Sequence, residues 1–172
     1  MISFNCNHQK HPTNSIDKME IKTRKATLKD LDFLLNFEQQ LIAVERPMDP
    51  SLEQHKKINY YDIAAFIASD IAEVFVATIS DEIVGCGYGL IKQNDSKFSQ
   101  KEHGYIGFIY VEKKYRGNGI SKYIFDAIFG WLRSKNIIEV KLTVYEENPY
   151  AIKAYEKIGF KKNLIEMLHY LD

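Results

Sequence analysis

The stretch Lys113-Lys114-Tyr115-Arg116-Gly117-Asn118-Gly119-Ile120-Ser121-Lys122 lies between an apolar run and a change of hydrophobic period. Asn-Gly signals a β-hairpin when strand-like alternation continues on both sides. Here it does not. Ile120, Tyr123, Ile124, Ala127, Ile128, Trp131 and Leu132 recur at helical spacing, so the turn opens a long amphipathic helix that ends in a cationic turn near Arg133, Lys135 and Asn136. Upstream, Tyr105 to Val111 is apolar almost without a break, which predicts a strand covered on both faces, with Gly107 as a possible bulge. Downstream, Ile138, Val140, Leu142 and Val144 alternate with Glu139, Lys141, Thr143 and Tyr145, a strand with one buried face. Strand, helix, strand makes a βαβ unit, so these two strands should be parallel with a right-handed crossover.

Working outward, Ile21 to Arg24 reads as a strand, and Thr27 with Asp30 forms a cap ahead of Leu31, Leu34, Leu35, Leu41 and Ile42, the apolar face of a first helix. Glu45 to Pro50 carries two prolines and is a loop; Ser51 and Asp62 are caps for two short helical pieces. Val74 to Ile79 and Ile83 to Ile91 are strands joined by Ser80, Asp81 and Glu82 in an antiparallel hairpin. Asn94 to Lys101 is a polar loop. Asn148-Pro149 opens a last helix closed by Gly159, and Leu164 to Leu171 reads as a closing strand.

A chain of 172 residues is expected to form one domain, here residues 19–172, preceded by a mobile polar arm over residues 1–18 without the apolar core of a secretory signal. Its 23 basic residues balance 23 acidic ones, so no global field gathers nucleic acid or an anionic membrane surface. No apolar run approaches the roughly 20 residues that span a bilayer. Cys6 and Cys86 form no Cys-x-x-Cys motif, which suits a reducing cytoplasm. Cys6, His8 and His11 on a loose arm would hold a metal weakly, so no metal site is expected.

If the glycine turn opens a helix, the backbone N–H groups from about Gly117 to Ser121 lack intrahelical partners and point outward together at the positive end of the macrodipole. Lys113, Lys114, Arg116 and Lys122 surround them, with no acidic residue between Lys113 and Phe125. This is a local anion site, and a pyrophosphate is its natural guest. The dinucleotide fingerprint requires a third glycine where Lys122 stands, and the P-loop pattern is absent. Gly85-Cys86-Gly87-Tyr88-Gly89 lies inside a strand, where its glycines serve close packing and Cys86 is an inert buried thiol.

Arg116-x-x-Gly119-x-Ser121 resembles the Arg/Gln-x-x-Gly-x-Gly/Ala acetyl-CoA motif of the GNAT superfamily of N-acetyltransferases, with Ser121 departing at the last position. The segment from Asn148 through Ala151, Tyr155, Glu156, Lys157 and Gly159 to Phe160 is similar to the family's Glu-Asn-x-x-Ala-x-x-x-Tyr-Glu-Lys-x-Gly-Phe segment. The resemblance implies an α+β fold: a mixed, mostly antiparallel twisted sheet of six to seven strands with about four helices and a splayed parallel central pair joined by a helix. It implies acetyl-CoA as cofactor, held by Ile109, Tyr110, Val111, Arg116, Gly117, Asn118, Gly119, Ile120, Ser121, Lys122, Asn148 and Tyr155. Pantetheine would pair with the edge of the Tyr105 to Val111 strand, where Ile109 and Val111 offer backbone groups. Tyr155 matches the family's general acid. Asn148 can serve as helix cap and cofactor contact together.

The implied reaction is acetyl transfer from acetyl-CoA to a primary amine of a small molecule or peptide, by direct attack through a tetrahedral intermediate that a strand N–H stabilises. An amine near pKa 10.4 must lose a proton first, so a base is needed; His103 and Glu102, near the start of the central strand, are the candidates. A second reading is a non-catalytic acyl-CoA-binding sensor or interaction module. The acceptor, the length of the acyl group, and the choice between monomer and homodimer stay open.

Overall fold

A computed structural model describes residues 20–171. Five strands, β1 (Ile21–Lys25), β2 (Ala72–Ile79), β3 (Glu82–Gln93), β4 (Glu102–Val111) and β5 (Val140–Lys141), form one sheet in sequential order. The first three pairings are antiparallel; β4 and β5 run parallel, as the βαβ reading requires. The helices are α1 (Leu31–Glu45), α2 (Ile63–Ile67), α3 (Ile120–Ser134) and α4 (Pro149–Ile158).

Local chemistry explains where most elements begin. Thr27 and Asp30 form the expected capping box before α1, and Asp30 also binds both guanidinium nitrogens of Arg24 at 2.8 Å, tying β1 to the helix start. Ser80 and Asp81 adopt left-handed φ values of 47° and 67°, the geometry of a two-residue hairpin turn between β2 and β3. Asn148 accepts from the Ala151 amide at 3.1 Å with Pro149 at the first helical position, and Gly159 closes α4 at φ 109°.

The sheet is covered on both sides. Ile124, Phe125, Ile128, Trp131 and Leu132 of α3 pack with Phe75, Ala77 and Ile106 on one face. Leu34 and Phe37 of α1 and Ile63 of α2 pack with Val74, Val76, Tyr88, Phe108 and Tyr110 on the other. The glycines of β3 set how closely α3 can approach: a Cβ at Gly87 would stand 2.8 Å from Ile124, and one at Gly89 2.8 Å from Ile128. Cys86, between them, is buried and free.

Three sequence expectations are corrected. The helical piece after Ser51 does not form, because the Asp49 carboxylate accepts from both the Ser51 amide (2.9 Å) and hydroxyl (2.6 Å), closing a turn instead; only Asp62 caps a helix. The strand expected over Ile138 to Val144 shrinks to Val140–Lys141, since pairing with β4 is limited to Gly104 with Val140 and Tyr105 with Lys141. The closing strand over Leu164 to Leu171 is absent: that segment forms no helix or strand, so the described sheet has five strands rather than six or seven. The 1–18 arm, with Cys6, His8 and His11, lies outside the described residues.

Candidate functional site

Beyond Tyr105, β4 and β5 part company, and the cause lies in β4. Its register against β3 shifts between Cys86 and Tyr88, and Phe108 sits at φ 54°. This inserts an extra residue beside Gly107, the position at which the sequence suggests a bulge. The insertion reverses the alternation of the strand: Ile106 packs toward α3, Phe108 and Tyr110 toward α1, and Ile109 and Val111 toward α3 again. Backbone direction follows side-chain parity. Gly104 donates to Glu139 on the β5 side, and Glu112 donates to Val84 on the β3 side, so the amides of Ile109 and Val111 turn toward the diverging β5 side, where no strand among the described residues pairs them.

At the end of β4 the chain makes a short 3₁₀ turn over Lys113–Tyr115 and enters α3 through Gly117 (φ 84°) and Gly119 (φ 75°). Both values favour glycine, and a Cβ at either position would meet nothing within 4 Å, so the outer side of the turn is open. Asn118 shapes it from within, its side-chain amide donating to the Tyr115 carbonyl at 2.9 Å. Among the described residues, no hydrogen bond is made by the amides of Gly117, Asn118, Gly119, Ile120 or Ser121. Five donors therefore converge at the positive end of a 15-residue helix.

The basic side chains contribute less than their number suggests. Lys114 is paired with Glu82 at 2.7 Å and Lys122 with Asp126 at 2.6 Å. Arg116 donates Nε to the Val111 carbonyl at 2.9 Å and keeps its terminal nitrogens for other partners. The backbone is the principal anion-binding surface, with Arg116 and Lys113 beside it. These donors fit a pyrophosphate, and the two open edge amides of β4 continue the same path.

Tyr155 lies on α4 with its ring against Phe125 and Phe160, centroids 5.7 and 6.3 Å away. Burial pushes its phenol up to about 12, with the charges of Glu45 and Tyr105 adding to the shift, so it stays protonated through the physiological range. That influence of Glu45 orients the site. Glu45 ends α1, where burial raises its carboxyl above the ordinary range and Tyr60 partly offsets the rise. Its charge also reaches Tyr60, Tyr61 and Tyr145. The Tyr60 hydroxyl is buried without a hydrogen bond of regular geometry, and its phenol is pushed up to about 12, mainly by burial.

This second cluster is assembled by α1 and the loop that follows it. Glu38, fully buried, accepts from the amides of Tyr60 and Tyr61 at 2.8 and 2.9 Å, and Gln39 donates to the Ile58 carbonyl at 2.8 Å. Arg46 clamps the loop through the Glu53 and Lys56 carbonyls at 3.1 and 2.5 Å. Tyr145, past β5, donates to Asp49 at 3.0 Å, and Tyr105 bonds Thr143 at 2.8 Å. Glu45 thus ends α1 beside Tyr60, and its charge reaches the phenols of Tyr61, Tyr145 and Tyr155. Sequence reasoning misses it; its only signal there is a carboxylate closing a helix before two prolines.

Glu102 and His103 stand elsewhere. Both lie at the far end of β4, roughly 20 Å along the strand from Ile109 at about 3.3 Å per residue. Glu102 accepts from Gln93 at 2.6 Å; His103 is buried with Nδ1 unpartnered, and burial together with nearby Lys141 and Lys92 lowers its pKa. Among the described residues no group of three His, Cys, Asp or Glu is placed to hold a metal ion, and no helix is long and apolar enough to cross a membrane.

The family described as acetyltransferase (GNAT) matches residues 39–160, a span that runs from α1 through the glycine turn to Phe160. The chain belongs to this acetyltransferase family. It is 28% identical over 158 residues to an N-alpha-acetyltransferase of Sulfurisphaera tokodaii, covering 89% of this chain and 87% of that protein. It is 23% identical over 141 residues to N-alpha-acetyltransferase 30 of Saccharomyces cerevisiae, covering 78% and 77%. In three dimensions it is similar to a predicted acetyltransferase from Clostridium acetobutylicum solved with acetyl-CoA, with a TM-score of 0.66, 20% identity, and coverage of 87% of this chain and 96% of the other. These matches identify the GNAT member as an acyltransferase enzyme of the N-acetyltransferase type.

Proposed function

We propose that this acetyltransferase moves the acetyl group of acetyl-CoA to the primary amine of a peptide, with Glu45 as the base and Tyr155 as the acid. The observation that carries the reading is the shared geography of three features. Open amides at the start of α3 and open edge amides on β4 lead toward the β4–β5 divergence. Tyr155 on α4 and Glu45 at the end of α1 are both held above their ordinary pKa by burial, and the charge of Glu45 adds to the rise at Tyr155. Bound acetyl-CoA would supply the acetyl group as a thioester.

This chain's residues supply the rest. The amides of Gly117 to Ser121, with Arg116, hold the pyrophosphate, and the backbone of Ile109 and Val111 aligns the pantetheine; Tyr110, Lys122 and Asn148 flank the same path. The Ile109 amide beside the bulge stabilises negative charge on the carbonyl oxygen during attack. Glu45 accepts the proton of the acceptor ammonium, for which a raised carboxylate pKa suits it better than an ordinary one. The Tyr155 hydroxyl holds a proton at the leaving sulfur, whose thiol pKa is about 8.5.

His103 and Glu102 are replaced in this role by Glu45, because neither reaches the thioester from the far end of the strand. A peptide acceptor is favoured by the N-alpha-acetyltransferase relatives. Glu45 and Asp49 add carboxylates that attract a cationic amine, among phenols able to bind peptide groups.

The test is acetyl-CoA consumption with short peptides and with small amines, for the wild type and Glu45→Gln. Peptides should be preferred, and Glu45→Gln should lower kcat/KM by roughly 10²-fold. It should also erase the acid limb of the pH profile: the base works deprotonated, so the wild-type rate rises as pH climbs through the raised carboxyl pKa. An unchanged acid limb in the variant would remove Glu45 from the role. Binding without turnover on any amine would favour the sensor reading.

A further inference from the structure

Ile109 stands between two aromatic residues that point away from it. Phe108 and Tyr110 are 3 and 4% exposed and pack on the α1 side of the sheet, whereas Ile109 packs toward α3. Phe108 also carries the left-handed φ of 54° that makes the bulge. A bulky residue at such a φ is strained, and it persists only where its surroundings over-determine it. The direction of the Ile109 amide is therefore decided by whatever fixes Phe108 and Tyr110.

On the Phe108 side the support is aromatic. The Tyr61 ring packs on Phe108 at 5.9 Å between centroids and meets the Tyr88 ring edge-on at 5.1 Å. Tyr88 is the cross-strand partner of Gly107, and a Cβ at Gly107 would stand 2.6 Å from the Tyr88 Cζ, so the glycine lets that ring lie directly on the bulged backbone. Phe66 of α2 closes the stack, 4.8 Å from Tyr88. Tyr61 thus touches both the strained residue and the ring that wedges it.

Tyr61 belongs to residues 49–62, which form no helix or strand, so no regular backbone pairing places it. Glu38 of α1 does, through the amides of Tyr60 and Tyr61 that one of its oxygens accepts. Its other oxygen is buried with no partner among the described residues. A fully buried carboxylate with one oxygen unpaired is costly, so packing does not account for it. On the far side of Ile109, the Tyr110 hydroxyl donates to Gln40 at 2.5 Å, and Phe37 packs on its ring at 4.8 Å. Two polar residues of one helix, two positions apart, hold the residue before Ile109 and the residue after it.

We infer that Glu38, acting through Tyr61, and Gln40, acting through Tyr110, are positioning residues that hold the bulge of β4 and so aim the Ile109 amide at the thioester carbonyl. The aim rests on the proposed place of acetyl-CoA along β4, and the experiment separates the two.

The test is the infrared stretch of the thioester carbonyl of bound acetyl-CoA, isotope-labelled at that carbon, with kcat on a peptide and the calorimetric Kd for acetyl-CoA. A hydrogen bond from the Ile109 amide weakens the C=O bond, so wild type should stretch at a lower frequency than free acetyl-CoA. Glu38→Leu and Gln40→Leu should lose most of that shift and lower kcat by roughly 10²-fold and 10-fold, with Kd within about threefold because the turn before α3 is untouched. Glu38→Gln keeps an oxygen that accepts both amides, so it should keep the shift and hold kcat within about threefold of wild type. Gln40 is only half-buried, so its variant carries the test if Glu38→Leu fails to fold. No shift in wild type would overturn the placement of the thioester, and the inference with it. A shift that survives in Gln40→Leu and in a folded Glu38→Leu would overturn the inference alone. A loss in Glu38→Gln equal to that in Glu38→Leu would overturn it for Glu38, since its charge rather than its grip on the loop would then be what acts.

Discussion

Tyr155 and Glu45 reach the candidate site by different routes, and the difference shows what a sequence can carry. Tyr155 lies in a helix whose cap, first-turn proline and closing glycine are all local signals, so its position relative to Asn148 is legible from the order of residues alone. Glu45 owes its environment to contacts far apart in sequence: Glu38 organising the Tyr60–Tyr61 backbone, and Tyr145 closing on Asp49. Nothing in its neighbours encodes that enclosure. His103 has the residue type of a base, but it stands roughly 20 Å along β4 from Ile109 at about 3.3 Å per residue. At this scale, Tyr155→Phe should reduce kcat by roughly 10²-fold while leaving the KM for acetyl-CoA within about twofold, since the ring and its packing remain. Steady-state rates on a peptide acceptor check this, and an unchanged kcat would exclude the hydroxyl from the reaction.

Elements are legible wherever their start and their period agree. α3 begins at a glycine turn and keeps one apolar face, and the hairpin and the parallel pair follow from spacing alone. β5 is shorter than its pattern suggests, because alternation from Ile138 to Val144 describes which face is buried and says nothing about how far a neighbour stays within bonding distance. The bulge that bends β4 away sets that limit. The capping box before α1 carries a pH signature. Arg24 holds the Asp30 carboxyl far below the usual carboxylate range, with Thr27 adding to the effect against the opposing cost of burial. Its folded pKa is lowered, so its contribution to stability is complete above the ordinary pKa near 4 and disappears as pH falls toward the depressed value. Asp30→Asn should therefore cost about 1–3 kcal/mol at neutral pH, less at pH 2, as read by denaturant unfolding at both values. An equal loss at both would mean that the ion pair is not what stabilises the corner.

For the whole molecule, the claim on which the others depend is that the amides opening α3 form the seat of the CoA pyrophosphate. The zero net charge of the chain makes the point testable, because no diffuse positive field can gather the cofactor in their place. Two of the four neighbouring cations are already paired, so the seat is made chiefly by the backbone. Gly119→Glu introduces a side chain and a negative charge into a space that is open on its outer side, at a φ of 75° that disfavours any residue but glycine. The strain is confined to an exposed turn, and the apolar face of α3 is untouched. Titration calorimetry of CoA into the wild type and Gly119→Glu, with melting curves for both, measures the seat directly. The account predicts at least a 100-fold loss of affinity in a variant that still unfolds cooperatively. Equal affinity in the two proteins would contradict it.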